Sequence, residues 1–352
     1  EYPIDIVYCN KCCTAHQRFQ VEKKLLFPRN YHYRARMTGS VVMGMQDLVD
    51  SCEQRYGKLE GKLVLDIGCN DGSLLNWFKT RGCKTIGIEP TGAAMDSKHT
   101  TINAFFDRES ALKVLEMVGK PDLITFTNVF AHIEDLPGLL DNLKLLIGDN
   151  TSIVVENHYL GDVLKRGQFD TFYHEHPRTY SLTSFKYIAK TLGLNLTDAE
   201  FVSRYGGNIR AYMGHGNSKE INLDESTFGE KFKEMAKDVE KWKKETRQMI
   251  VDHVAKHGKL KAKAFPGRAA ILIKLLGLDE NLISAVYEIK GSIKVGHYIP
   301  GTRIPILPEA DLYALGVNEP ILNLAWHIPE EVRANLLKNF YLGEVIDVRK
   351  FA

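Results

Sequence analysis

Four consecutive side chains in the run "FDTFYHEH", Tyr173, His174, Glu175 and His176, could each take part in proton transfer, and two could ligate a metal. A histidine is the side chain best suited to take a carbon-bound proton near neutral pH. A tyrosine hydroxyl can donate a hydrogen bond to a developing enolate oxygen. If the run is extended, Tyr173 and Glu175 point one way and His174 and His176 the other. A metal on His174 and His176 needs at least one further ligand, and no convincing one stands nearby, so proton chemistry is favoured over metal binding. A polar loop that only covers a sheet is the plain alternative.

A second stretch, "VLDIGCNDGSLL" (Val64 to Leu75), has the composition of a ligand turn. A buried strand ends at Asp66, the chain turns through Gly68, Asn70 and Gly72, and a helix begins near Ser73. The glycines suit a positive backbone angle and close approach of a ligand to the main chain. The spacing is not GxGxxG, and an acid precedes the first glycine. A carboxylate there repels a pyrophosphate but suits a ligand carrying an ammonium group and a sulfonium charge, which describes S-adenosylmethionine. Glu89 ends the next strand, "KTIGIEP", roughly 20 residues further on, where an acid can accept both ribose hydroxyls. Asp107 in "AFFDRES" could reach the adenine amine. Asn128 ends the fourth strand, on the rim where open α/β sheets place ligands, and His132 follows on the same rim. Asn157 ends "TSIVVEN" and is the candidate contact to the methyl acceptor.

These residues need a scaffold, and the patterning supplies one. "LVLDIGC", "KTIGIEP", "DLITFTNV" and "TSIVVEN" are buried strands alternating with helical patterns, as in a parallel α/β sheet. Residues 39–216 are therefore expected to form a Rossmann-like class I methyltransferase domain, preceded by a short cysteine-containing segment (1–38). Residues 217–258 hold a long amphipathic helix whose narrow seam includes Phe228, Phe232, Met235, Val239 and Trp242, read as packing on a neighbouring domain. Residues 259–352 resume an α/β pattern, a second and smaller Rossmann-like domain. Hydrophobic residues are 44% and charged ones 26% of the 352, an ordinary globular balance, and the formal charge of +2 argues against a non-specific grip on nucleic acid. No apolar run approaches the roughly 18 residues of a membrane helix. Six scattered cysteines point to a reducing cytoplasm.

The ordered set "YCNKCC", "LLFPRNYHYR", "VLDIGCNDGSLL", "VENHYLGD", "FDTFYHEH", "YGGNIRAYM", "GLDENLISAVYE" and "YIPGTRIPIL" resembles the sugar C-methyltransferases that make branched deoxysugars such as tetronitrose, mycarose and noviose. The resemblance spans essentially the whole chain. It implies methyl transfer from S-adenosylmethionine to a carbon next to the ketone of a nucleotide-linked sugar, through an enolate. It also implies that His176, helped by Tyr173, handles the proton, with Glu175 and His132 beside them. Tyr31, Tyr33 and Ser40 match an aromatic and Gly-Ser segment that lines the family's active site, Tyr33 being the better candidate.

Two departures accompany the resemblance. The family's zinc module uses two CxxC pairs; here Cys9 and Cys12 form one, with Cys13 and His16 nearby, and the first pair would lie before residue 1. Two thiolates do not close a tetrahedral site, so no metal is assigned. The C-terminal domain reads "AFPGRAAIL" where the family has a richer glycine turn, leaving Arg268 and a helix N-terminus to hold a pyrophosphate, with Lys290 assisting. Competing expectations are an O- or N-methyltransferase on the same fold and a catalytically silent nucleotide-sugar-binding module. Sugar identity and oligomeric state stay open.

Overall fold

The computed structural model describes residues 2–31, 33–316 and 318–350. The chain divides into two compact units, Glu1–Val163 with His174–Gly229, and Leu164–Tyr173 with Glu230–Ala352.

The first unit opens on a hairpin, β1 (Ile6–Cys9) and β2 (Thr14–Gln17), followed by α1 (Lys23–Leu26) and α2 (Gly39–Tyr56). Then come β3 (Leu63–Ile67), α3 (Ser73–Thr80), β4 (Lys84–Ile88), β5 (Thr100–Ile102), α4 (Arg108–Val118), β6 (Leu123–Thr127), α5 (Leu136–Leu146) and β7 (Ser152–His158). Helix α6 (Leu160–Lys165) leads out of the unit, and β8 (Arg178–Thr179), α7 (Leu182–Thr191), β9 (Asn195–Val202) and β10 (Asn208–Gly214) complete it. The main sheet has the order β5-β4-β3-β6-β7-β10-β9. Pairing is parallel from β5 to β7, while β10 runs antiparallel to both β7 and β9. This is the Rossmann-like arrangement expected of a class I methyltransferase. Its parallel strands are near-continuous apolar runs because both faces are covered. On one face Leu48, Val49 and Cys52 of α2 and Leu74, Leu75 and Phe78 of α3 pack over Val64. Each such side chain contributes about 2 kcal/mol by leaving water.

The hairpin is tied back to this unit. Strand β8 pairs with β2, aligning Ala15 with Thr179 and His16 with Arg178, and the Gln17 amide donates to the Pro177 carbonyl at 2.8 Å. The residues immediately after His176 are thus pinned by a small three-stranded sheet.

The second unit contains α8 (Phe228–His257), β11 (Leu260–Lys263), α9 (Ala269–Leu276), β12 (Ile283–Glu288), β13 (Ile306–Pro308), α10 (Glu309–Ala314), β14 (Ile321–Asn323), α11 (Pro329–Lys338) and β15 (Val345–Asp347). Its sheet order, β13-β12-β11-β14-β15, is parallel throughout and has the strand sequence 3-2-1-4-5 of a Rossmann sheet. Two residues of the α8 seam pack within this unit, Trp242 against Phe169 at 5.0 Å and Phe232 against Phe172 at 5.8 Å between ring centroids. Among the described residues no helix is long and apolar enough to cross a membrane, and all six cysteines are free thiols.

Candidate active site

The turn after β3 carries two glycines and one asparagine with positive φ: Gly68 (+75°), Asn70 (+52°) and Gly72 (+76°). Gly68 also faces a close neighbour, since a Cβ there would stand 2.5 Å from Cγ2 of Val129. Asp66, at the end of β3, is 3% exposed and accepts a hydrogen bond from the Thr125 hydroxyl at 2.7 Å. Burial pushes its pKa up to about 7, Thr125 opposes the rise, and nearby Glu89 adds to it. Glu89 is buried too. Its Oε2 accepts the Asn70 amide (3.0 Å), and its Oε1 accepts the Thr91 amide (2.9 Å) and hydroxyl (2.6 Å). A carboxylate offers roughly four acceptor positions. Asp66 and Glu89 therefore retain capacity for an ammonium group and ribose hydroxyls, so the residues present fit S-adenosylmethionine. Asp107 has a different local duty. Its Oδ1 caps α4 by accepting the Ser110 amide, in a reciprocal capping box.

Residues 29–31 and 33–37 lie against this turn. Oδ1 of Asn70 accepts the Ala35 amide (2.9 Å), and its Nδ2 donates to the Tyr33 carbonyl (3.2 Å). Arg36 reaches Asp71 through both its amide and its guanidinium, and the Gly92 amide donates to the Arg29 carbonyl. The same stretch also reaches the acceptor side, where the Tyr31 hydroxyl donates to Oε2 of Glu175 at 3.4 Å. Burial and the adjacent Glu175 carboxylate raise the Tyr31 pKa, so Tyr31 holds its proton. Tyr33 itself is 40% exposed.

The "YHEH" run is a turn rather than an extended strand, which removes the alternation expected of it. His174 is directed to the Tyr2 carbonyl, 3.1 Å from its Nε2. His176 is only 6% exposed, and its ring lies 4.9 Å from that of His132 and 5.2 Å from that of His158. His158, at the end of β7, was not anticipated from the sequence. Its ring lies 5.9 Å from that of Tyr205, whose hydroxyl hydrogen-bonds with Tyr33. Tyr205 has φ +53°, an uncommon conformation for an aromatic residue and one that collects at functional sites. Burial lowers the His132 pKa to about 4, against the pull of the Asn128 and Glu175 backbone, so this imidazole is neutral at pH 7. Its Nδ1 is buried without a hydrogen-bond partner.

The contacts form a ring. They pass from Asn70 to Tyr33, Tyr205, His158, His176 and His132, and the stretch carrying His132 returns to the start through Val129 against Gly68. Asn128 and Asn157 lie on the same rim. Asn128 has φ +54° and accepts from Asn208 Nδ2 at 3.2 Å. Asn157 is 1% exposed, yet both polar atoms of its side chain lack a hydrogen-bond partner. A buried amide left so is costly unless a ligand or water completes it.

Three sequence candidates lie in the second unit. Tyr173 ends its inserted segment, its amide donating to the Thr171 carbonyl at 3.0 Å. Lys290 is exposed. Arg268, expected to meet a pyrophosphate, is buried and already engaged by Asp170, with Nε donating to Oδ2 (2.8 Å) and Nη2 to Oδ1 (2.5 Å). Among the described residues no group of three or more His, Cys, Asp or Glu side chains is placed to hold a metal. Cys9 and Cys12 sit at the β1–β2 turn.

Comparison with known proteins adds independent observations. Residues 43–199 match the family model of a methyltransferase domain, and residues 204–343 that of a C-methyltransferase C-terminal domain. The C-methyltransferase NovU of Streptomyces niveus is 29% identical over 350 residues, covering 95% of this chain and 83% of its own. A ubiquinone biosynthesis O-methyltransferase of Actinobacillus pleuropneumoniae is 27% identical over 113 residues, covering 28% of this chain and 47% of its own. Among solved structures, the magnesium protoporphyrin IX methyltransferase of Synechocystis PCC 6803 with bound S-adenosylmethionine superimposes with a TM-score of 0.41 at 15% identity. It covers 57% of this chain and all of its own.

Proposed function

This chain belongs to the S-adenosylmethionine-dependent C-methyltransferases, and on that premise we propose that it methylates a carbon beside the ketone of a nucleotide-linked sugar. The observation that carries this reading is the imidazole cluster around the buried His176, on the rim of the cofactor-binding sheet. An unactivated sugar carbon does not give up a proton, but a carbon next to a ketone does so to a neutral imidazole held nearby. In this reading His176 takes that proton on a ring nitrogen, and the C–H electron pair becomes the enolate. The family resemblance gives Tyr173, three residues earlier in the chain, the part of hydrogen-bond donor to the enolate oxygen. His132, neutral because it is buried, leaves the neighbouring ring as the proton acceptor. Glu175, the residue before His176, is held by the Tyr31 hydroxyl. When bound, the cofactor supplies the methyl group. The unsatisfied amide of Asn157 suits a sugar hydroxyl or carbonyl.

The test is deuterium incorporation from D2O into thymidine-, guanosine- and cytidine-linked keto sugars. Wild-type protein is expected to exchange the proton beside the ketone and then methylate that carbon. His176→Asn should bind S-adenosylmethionine normally and lose both steps by at least about a hundredfold. Exchange into none of the keto sugars, alongside robust methylation of a hydroxyl or amine, would refute the proposal.

A further inference from the structure

We infer that the ligand crevice of the second unit is a socket for the chain's own residues 168–172, with Arg268 and Trp326 as positioning residues that act through Asp170. In an open parallel sheet of order 3-2-1-4-5, ligands bind beyond the carboxyl ends of the two strands on either side of the point where the order reverses. Here those strands are β11 and β14. Arg268 follows the end of β11 by five residues, and Trp326 follows the end of β14 by three.

What these two side chains hold is a carboxylate of the same unit. Oδ1 of Asp170 accepts Nη2 of Arg268, while Oδ2 accepts both Nε of Arg268 and Nε1 of Trp326, each at 2.8 Å. Gln168 Oε1 lies 3.4 Å from the same guanidinium. A bidentate guanidinium with an indole N–H beside it would suit a phosphate equally well, and Asp170 takes that place. The opposite side of the segment is closed by α8, through Trp242 on Phe169 and Phe232 on Phe172. The Arg349 guanidinium lies over the Phe169 ring at 5.0 Å. All five residues from Gln168 to Phe172 are buried, Asp170 completely. Connecting segments normally run over the surface, because burial strands their polar groups. This one is buried because the crevice satisfies its carboxylate.

The consequence reaches the chemistry through the chain itself. The segment ends at Tyr173, and His176 follows three residues later. Anchoring Asp170 fixes the backbone from which the "YHEH" run departs, a role that rests on the proposed reading of that run. The crevice is then occupied by protein, and a nucleotide's diphosphate is not its ligand.

Hydrogen exchange read by mass spectrometry on the full chain tests this. Arg268→Met should speed exchange in residues 168–172 by at least about a hundredfold, since it strands a buried carboxylate. Trp326→Phe, which keeps the ring and removes one N–H, guards against misfolding of the first variant and should speed it about tenfold. Both variants should keep wild-type binding of S-adenosylmethionine by calorimetry and unchanged KM for the keto sugar, with lowered kcat. Arg268→Lys, lacking the fork, should not restore kcat. Thymidine, guanosine and cytidine diphosphates at millimolar concentration should leave residues 168–172 protected in wild-type protein. A diphosphate that exposes 168–172 while protecting 263–269, or an Arg268→Met effect confined to KM, would overturn the socket. Should no keto sugar exchange deuterium with wild-type protein, the functional reading fails separately, and the exchange data still decide the socket.

Discussion

Asp66 is the residue through which the cofactor cradle can be tested thermodynamically. Its carboxyl is fully sequestered, and burial lifts its pKa to about 7, against roughly 4 for an unfolded aspartate. At pH 6 the empty cradle therefore holds a neutral acid. An ammonium group brought beside it favours the carboxylate, so binding must expel the proton. About nine-tenths of a proton should be released per S-adenosylmethionine bound at pH 6. Affinity should rise about ninefold between pH 5 and pH 6, a window in which the ligand's own α-amino group stays charged. Calorimetric titration in buffers of different ionisation enthalpy reads the proton release directly. Asp66→Asn should abolish both the release and the slope.

The same shift makes a stability statement of known sign. A pKa raised in the folded state means that Asp66 contributes its full stability below pH 4 and loses it as pH rises through 7. The loss across that window is about 4 kcal/mol, from roughly three pH units at 1.36 kcal/mol each. Cofactor-free Asp66→Asn should accordingly outlast wild-type protein in urea above pH 7, with the advantage gone at pH 4. Binding without proton release at pH 6, or an unchanged slope in Asp66→Asn, would refute the placement of the ligand's ammonium at Asp66.

Two further outcomes follow from the geometry. Gly68→Ala combines a left-handed backbone with a Cβ 2.5 Å from Val129, so it should cost about 2–4 kcal/mol in urea unfolding. The companion Val129→Ala should recover the steric part alone, and a loss below 1 kcal/mol would show that the turn yields. His158→Phe preserves a ring beside His176 and removes its nitrogens; turnover should fall about tenfold or more with S-adenosylmethionine binding unchanged, measured by coupled calorimetry and rate assays.

The strand–turn–helix around Gly68 and Gly72 was legible because its determinants are local. A strand, a glycine turn and a helix lie within twelve residues, and Glu89 follows at a spacing set by one helix and one strand. Asp107 carries a second local signal beside the one read from its strand order. "DRES" holds an N-cap acid and a serine three residues on, a helix-start pattern, and the structure uses it so. The acceptor side was legible only as a list of residue types. The turn at "YHEH" comes from pairing of Arg178 and Thr179 with a hairpin some 160 residues earlier, a long-range contact that periodicity does not encode. His158 carried one available signal, its place at the carboxyl end of a strand beside Asn157. The engagement of Arg268 by Asp170 was not legible, because that partner stands about 100 residues away in a loop that gave no sign of being buried.

The electrostatics of the rim bear on where the released proton goes. Rings about 5 Å apart in a partly buried site repel a second proton by about 3 kcal/mol at an effective dielectric near 20. Burial keeps His132 neutral at pH 7, so a proton delivered to the cluster is not carried by that ring. Methyl transfer to a carbon acid releases one proton per turnover while the donor loses one positive charge. The net charge of the enclosed site is then the same before and after, provided that the proton stays on the imidazole cluster. Transfer to a hydroxyl or amine releases one proton as well, so the charge balance depends on whether an imidazole keeps that proton, not on the accepting atom.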